Sequence, residues 1–196
     1  MDALTLLKQD HKEVTQLFRK FEKLGEHALK AKRKIVDQII SALSVHAAIE
    51  EQYFYPIVRE RIARSEDQVL QALEEHHVVK WILLELEKLA PDAERFSAKV
   101  TVLMEIIFQH VKEEESEIFP MVKRVFKAGE LKALGDELRA AKKAAPTRPH
   151  PRSPDTPPGN IVAGTAAAVL DKGKEILQSL RAHTLPEAKS KQSQAN

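Results

Sequence analysis

HAAIEEQYFYP, residues 46–56, is restated later in the chain as HVKEEESEIFP, residues 110–120. In both stretches a histidine is followed four and five residues on by a glutamate pair, then by an aromatic residue and a proline at matching offsets. A helix turns about 100° per residue. On that count Glu50 lies about 40° from His46, Tyr53 about 20° away, and Glu51 about 140° away. The same geometry groups His110 with Glu114 and Glu117 and sets Glu115 aside. Ile39, Leu43 and Ile49 share the first face, and Leu103 and Ile107 the second. Each stretch therefore aims one imidazole and one carboxylate along an apolar face, toward a core.

The surrounding sequence is helical throughout. Leu, Ala, Glu and Lys dominate, and apolar residues recur every three or four positions, which is the periodicity of amphipathic helices. A first helix is expected from about Asp2 to about Leu29, and a second from near Ala31. Ser65, with Gln68 completing a capping box, is placed to start a third. Asp92 is placed to start a fourth. Pro56 and Pro120 should kink the second and fourth helices or end their regular part, because proline lacks an N–H and clashes with the preceding turn. A shorter helix is expected from about Glu130 to Lys143. The fold class is all-α: an up-down-up-down four-helix bundle with a C-terminal extension. Residues 1–143 form the bundle and the short following helix. Residues 144–160, AAPTRPHPRSPDTPPGN, read as a proline-rich linker. Residues 161–196 read as a helical segment with a disordered tail.

Bulk composition narrows the function. The chain has 196 residues, 43% hydrophobic and 31% charged, with a formal net charge of +2. A near-neutral balance argues against a dedicated nucleic-acid binder. The absence of cysteine excludes disulfides and thiolate metal sites but leaves a His/carboxylate site open. The N-terminus has no secretory pattern and no stretch is apolar enough to span a bilayer, so a cytoplasmic protein is expected.

Two more histidines join the doubled motif. His11 is centred on the apolar face of the first helix, between Leu7 and Val14. His76 is centred on that of the third, among Val69, Leu73, Val79 and Leu83; His77 lies about 100° away, nearer Trp81. A single inward histidine is more often a hydrogen-bonded core residue than a ligand, and His-x-x-x-Glu is common as an exposed pair. Four imidazoles and two carboxylates in one interior are costly without compensation, and a pair of metal ions supplies it. Mixed His/Glu donors with two carboxylates able to bridge suit di-iron or di-manganese centres in helical bundles. His27, His150 and His183 carry no such pattern, and the seven phenylalanines read as core.

The pieces LLKQDH ending at His11, HAAIEEQYFYP from His46, EEHHVVKWILLEL around His76 and HVKEEESEIFP from His110 resemble, in order and spacing, the hemerythrin-like (HHE cation-binding) domains. They span roughly residues 1–127. The resemblance implies a four-helix bundle with two non-haem iron ions, manganese or zinc being the alternative metals. Carried over, the ligands are His11, His46, Glu50, His76, His110 and Glu114, with Glu50 and Glu114 bridging. Three departures stand out. Oxygen-carrying members use His-x-x-x-His on the third helix, whereas Ala72 and Lys80 flank His76 and Leu73 and Trp81 flank His77. Those carriers place the last carboxylate five residues after its histidine, which selects Glu115, while the helical face selects Glu114. Tyr53 and Glu117, one turn on, are candidates for an extra ligand or an outer partner. The implied function is handling or sensing dioxygen, peroxide, nitric oxide or iron. Rival readings are a peroxidase-, catalase- or oxidase-like enzyme at the same centre, and a metal-sensing interaction module. Partners would be a small gaseous or peroxide ligand, with neither nucleic acid nor membrane, in a monomer or homodimer.

Overall fold

The structure is a computed structural model and describes residues 1–154 and 156; the expected helical segment and tail from residue 161 on lie outside the described residues. Helix α1 spans Ala3–Glu22, α2 Leu29–Ile49, α3 Tyr55–Arg61, α4 Glu66–Lys88, α5 Phe96–Glu113, α6 Phe119–Val125 and α7 Ala128–Lys142. Five-residue π-helical turns, Glu50–Phe54 and Glu114–Ile118, join α2 to α3 and α5 to α6. The bundle thus has four long rods: α1, α2–α3, α4 and α5–α6. Helix α7 packs on α1 and α2. No helix among the described residues is long and apolar enough to cross a membrane.

Local chemistry sets most boundaries. The Asp2 carboxylate accepts the Thr5 N–H at 2.9 Å and caps α1, satisfying a donor that has no partner inside the helix. Helix α1 stops at Glu22, well short of the expected Leu29, and the chain turns through Gly25. Ser65 does precede α4, but its hydroxyl donates back to the Ile62 carbonyl at 2.7 Å and caps nothing. Asp92 lies in a turn, and α5 starts four residues later, at Phe96. Glu130 accepts the Lys127 N–H at 2.7 Å and starts α7.

The two prolines produce the widened turns. The amide N–H groups of Tyr55 and Phe119 donate to the carbonyls of Glu50 and Glu114, five residues back. Each π turn accommodates one extra residue just before the proline, which then sits in the first turn of the next helix, where its missing N–H matters least. Side chains beyond each turn lag by about 100° relative to an unbroken helix.

The core is in two blocks. One gathers Leu4, Leu7, Phe54, Tyr55, Phe119 and Val122, with Leu134 and Leu138 of α7. The other gathers Val14, Phe18, Val36, Ile39, Leu83, Phe96 and Leu103. Full burial of each large side chain stabilises by about 1.5–3 kcal/mol, so each block is a rigid plug. The inward polar residues come from the heptads between them: His11 lies between Leu7 and Val14, and His46 between Leu43 and Ile49. Phe108 is the exception among the phenylalanines. It is 39% exposed and meets the Phe18 ring edge-on, with 5.9 Å between centroids. The described part of the proline-rich stretch, residues 144–154, lies on the bundle: Ala145, Pro146, Pro149 and Pro151 are buried, and Arg148 pairs with Glu87 of α4 at 3.4 Å. Its lack of regular structure fits its prolines, while its apolar rings find a surface between α2 and α4.

Candidate metal centre

His11, His46, Glu50, His76, His110 and Glu114 come from all four rods and meet in the interior, each at most 5% exposed. Their donor atoms form two groups. His11, His46, Glu50 and Glu114 offer atoms within 4.8 Å of one another, and so do Glu50, His76 and His110. Glu50 belongs to both groups. Its Oε2 lies 3.1 Å from His46 Nε2 and 3.5 Å from His76 Nε2. Glu114 Oε2 lies 3.2 Å from His11 Nε2 and 3.6 Å from His110 Nε2. Both carboxylates therefore stand between imidazoles of different rods.

Each of these imidazoles turns its other nitrogen to a carboxylate outside the cluster. His11 Nδ1 meets Glu115 at 2.9 Å, His76 Nδ1 meets Glu51 at 3.1 Å and His110 Nδ1 meets Glu75 at 2.7 Å. His46 Nδ1 lies 3.6 Å from Asp10. The partners run in a ring. Rod α1 supplies Asp10 to the second rod's histidine, that rod supplies Glu51 to α4, α4 supplies Glu75 to α5, and the fourth rod supplies Glu115 back to α1. A carboxylate on Nδ1 fixes the tautomer, orients the ring and raises the basicity of Nε2.

Electrostatics separate the two shared carboxylates. Burial, then the charges of Glu114 and Asp10, push the Glu50 pKa well above the ordinary carboxylate value. Burial acts the same way on Glu114, but His11 and His110 outweigh it and hold Glu114 ionised. Burial alone would lower His11, yet Glu114 and Glu115 raise it. Burial dominates at His46, lowering it to about 4, and at His76, where the charges of His110 and Lys80 add to it. The cluster thus favours a proton on Glu50 and on His11 and disfavours one on His46 and His76.

The donors fit metal ions. His11 Nε2, His46 Nε2, Glu50 Oε1 and Glu114 Oε2 are buried and make no hydrogen bond, although ion-pair distances separate some of them. Buried polar atoms without partners are costly, and cations among them would satisfy all four.

The remaining sequence candidates fall elsewhere. Glu115 is the partner of His11 Nδ1, and His77 sits at the surface, accepting the Trp81 indole N–H at 3.2 Å. Tyr53 is only half-buried and Glu117 exposed; neither joins a donor group. Glu51 lies off the ligand face yet is 4% exposed, held between His76 and Lys80, whose Nζ is 2.8 Å away. The aromatic residue that reaches the centre is Tyr55. Its hydroxyl donates to Glu114 Oε1 at 2.9 Å and lies 3.5 Å from Glu50 Oε2. Unbroken helical geometry points Tyr55 opposite His46, about 180° away; the π turn brings it round by about 100° and swings Tyr53 off the face. Pro56 was the available signal.

The chain matches the Hemerythrin HHE cation binding domain over residues 2–122. It belongs to that family. It is 27% identical to an uncharacterised hemerythrin-like protein of Schizosaccharomyces pombe over 143 residues, covering 72% of this chain and 70% of that one. It is also 27% identical over 142 residues to a Nostoc protein described as a DNA nickase, covering 72% of this chain and 39% of that longer protein. Its fold resembles the crystal structure of a hemerythrin HHE cation binding domain-containing protein from Mycobacterium kansasii. The TM-score is 0.62 at 22% identity, covering 73% of this chain and 86% of that one.

Proposed function

We propose that this chain is a non-haem di-iron protein, with His11, His46, Glu50, His76, His110 and Glu114 as ligands, that handles or senses a small oxygen- or nitrogen-containing ligand. The observation that carries this is the pair of donor groups sharing Glu50, each imidazole backed by its own carboxylate. Bound iron supplies one-electron redox chemistry, and the chain's residues do the rest. Glu50 and Glu114 clamp from opposite walls, and the protons on Glu50 and His11 give way to metal. An apolar chamber lined by Val14, Leu43, Val79 and Ile107 adjoins all four imidazoles; it suits an uncharged diatomic ligand and disfavours bulk water. Protein loaded with ferrous iron should hold about two ions per chain by metal analysis and, once air has oxidised the iron, absorb in the near-ultraviolet, and His46→Ala and Glu50→Ala should lose both. Protein that takes up no iron, or variants that keep their full metal content, would defeat this assignment.

Turnover of peroxide is a second reading, favoured by two features. Ala72 and Lys80, one turn either side of His76, hold the two positions at which the His-x-x-x-His of this family's oxygen carriers would place a second histidine, and the Lys80 ammonium is tied to Glu51. Tyr55 presents a buried phenol to both shared carboxylates, and burial, then Glu114 and Glu50, hold it protonated. That phenol can donate a proton toward a ligand beside Glu114. Iron-loaded protein should consume hydrogen peroxide, and Tyr55→Phe should slow it without changing metal content. No consumption at any pH removes this reading.

A further inference from the structure

A second opening reaches the centre from the side. Between α4 and the fourth rod lies a cleft of about 80 Å³, roomy enough for ordered water, with His110 and Glu114 at its inner end. Glu75, Glu113 and Glu117 line its wall, and among the described residues no lysine or arginine does. Glu113 is half-buried and Glu117 exposed, so they stand toward solvent. The Gln71 amide spans the cleft, donating to Glu75 at 2.9 Å and to Glu113 at 2.6 Å.

Two further observations point to a cation there. Glu114, 1% exposed, lines the cleft, and its Oε2 makes no hydrogen bond. Gln68 also lines it, and its buried Oε1 accepts nothing. A hydrated divalent ion moving inward would pass from carboxylate to carboxylate and end on the ligands His110 and Glu114. The Gln71 N–H groups occupy the place of a weak cation between Glu75 and Glu113, and a real cation displaces them. The apolar chamber on the histidine side is no rival route, because an ion there would lose its water against hydrocarbon walls with nothing in return.

We propose that this acidic cleft is the portal through which divalent cations load the centre, with Glu113 and Glu117 as its outer steering groups and Gln71 as a displaceable latch. The proposal rests on the assignment of the six residues as metal ligands. A cleft lined by one sign of charge concentrates counter-ions and raises association rates by about 10–1000-fold. Glu113→Gln/Glu117→Gln removes the charge and keeps the shape.

The test mixes metal-free full-length chain with cobalt(II), whose absorption reports ligation, in a stopped-flow instrument. The double variant should load at least about fivefold more slowly at low ionic strength, reach the wild-type metal content, and lose its disadvantage in about 0.5 M salt. Glu117→Lys alone should also slow loading, and circular dichroism checks the fold of each variant. Loading of the double variant at the wild-type rate overturns the portal. So does a drop in its final metal content, which would make these residues ligands. Wild-type protein that binds no cobalt(II) overturns the ligand assignment and the portal together, an outcome distinct from a wild type that loads while the variants keep pace.

Discussion

Replacing Glu50 by Gln should separate the stability of the bundle from the stability of its centre. Glu50 is fully buried, and burial beside Glu114 and Asp10 keeps its proton on in the metal-free chain. Glutamine has the same shape and is neutral, and Glu50 Oε1 has no hydrogen bond to lose. Metal-free stability should therefore not fall; above the free carboxylate value of 4.5 it should rise by up to about 1.4 kcal/mol per pH unit, because wild type must protonate Glu50 on folding and glutamine need not. With metal the outcome differs, because Glu50 is the carboxylate common to both donor groups. An ion present at about a hundredfold its Kd stabilises the fold by about 2.7 kcal/mol. A domain of this size moves about 2–4 °C in Tm per kcal/mol, so one ion raises Tm by about 5–11 °C and two by about twice that. The assay is thermal unfolding followed by circular dichroism, with and without ferrous iron under argon. Wild type should show the rise, and Glu50→Gln should lose most of it while unfolding no earlier than wild type without metal. A variant that keeps the full metal-induced rise would refute the shared-carboxylate geometry. One that loses several degrees without metal would refute the protonated state of Glu50.

Other outcomes follow from neighbouring contacts. Glu75→Ala frees His110 Nδ1 from its 2.7 Å partner and should weaken metal binding about 10–100-fold, measured by competition with a chelating dye. Above the ordinary imidazole value of 6.5, stability and metal affinity should move in opposite directions with pH. His11 and Glu50 have raised values in the fold and retain protons that the unfolded chain has released. Metal-free stability therefore falls as pH rises through their folded values. Metal affinity rises over the same range, because ligation must expel those protons; urea unfolding and metal titrations at several pH values measure the two slopes. Gly135→Ala should destabilise by about 1–3 kcal/mol despite alanine's better helix propensity, since a Cβ there would sit 2.5 Å from the Met1 carbonyl oxygen. Urea unfolding in which this variant is more stable than wild type would show that α7 does not pack tightly on the start of α1.

The sequence by itself carried the rods and the histidines and glutamates that point inward from them. Helical periodicity needs only local information, and the apolar faces flanking His11, His46, His76 and His110 are written within single helices. It also carried the warning of Pro56 and Pro120, though not their effect. Whether a helix meets a proline by kinking or by a π turn depends on the packing around it. That choice rotated Tyr55 into the centre and Tyr53 out. The outer ring was invisible for another reason. Asp10, Glu51, Glu75 and Glu115 each serve a histidine on a different rod, and no spacing along one helix encodes a contact between two. In hindsight the adjacent pairs Asp10–His11 and Glu75–His76 mirror Glu51 and Glu115, each five residues after its own histidine. The sequence therefore determined which residue types face the interior. Only tertiary structure decided which carboxylates stand among the imidazoles and which stand behind them, because that depends on how neighbouring rods are rotated against one another.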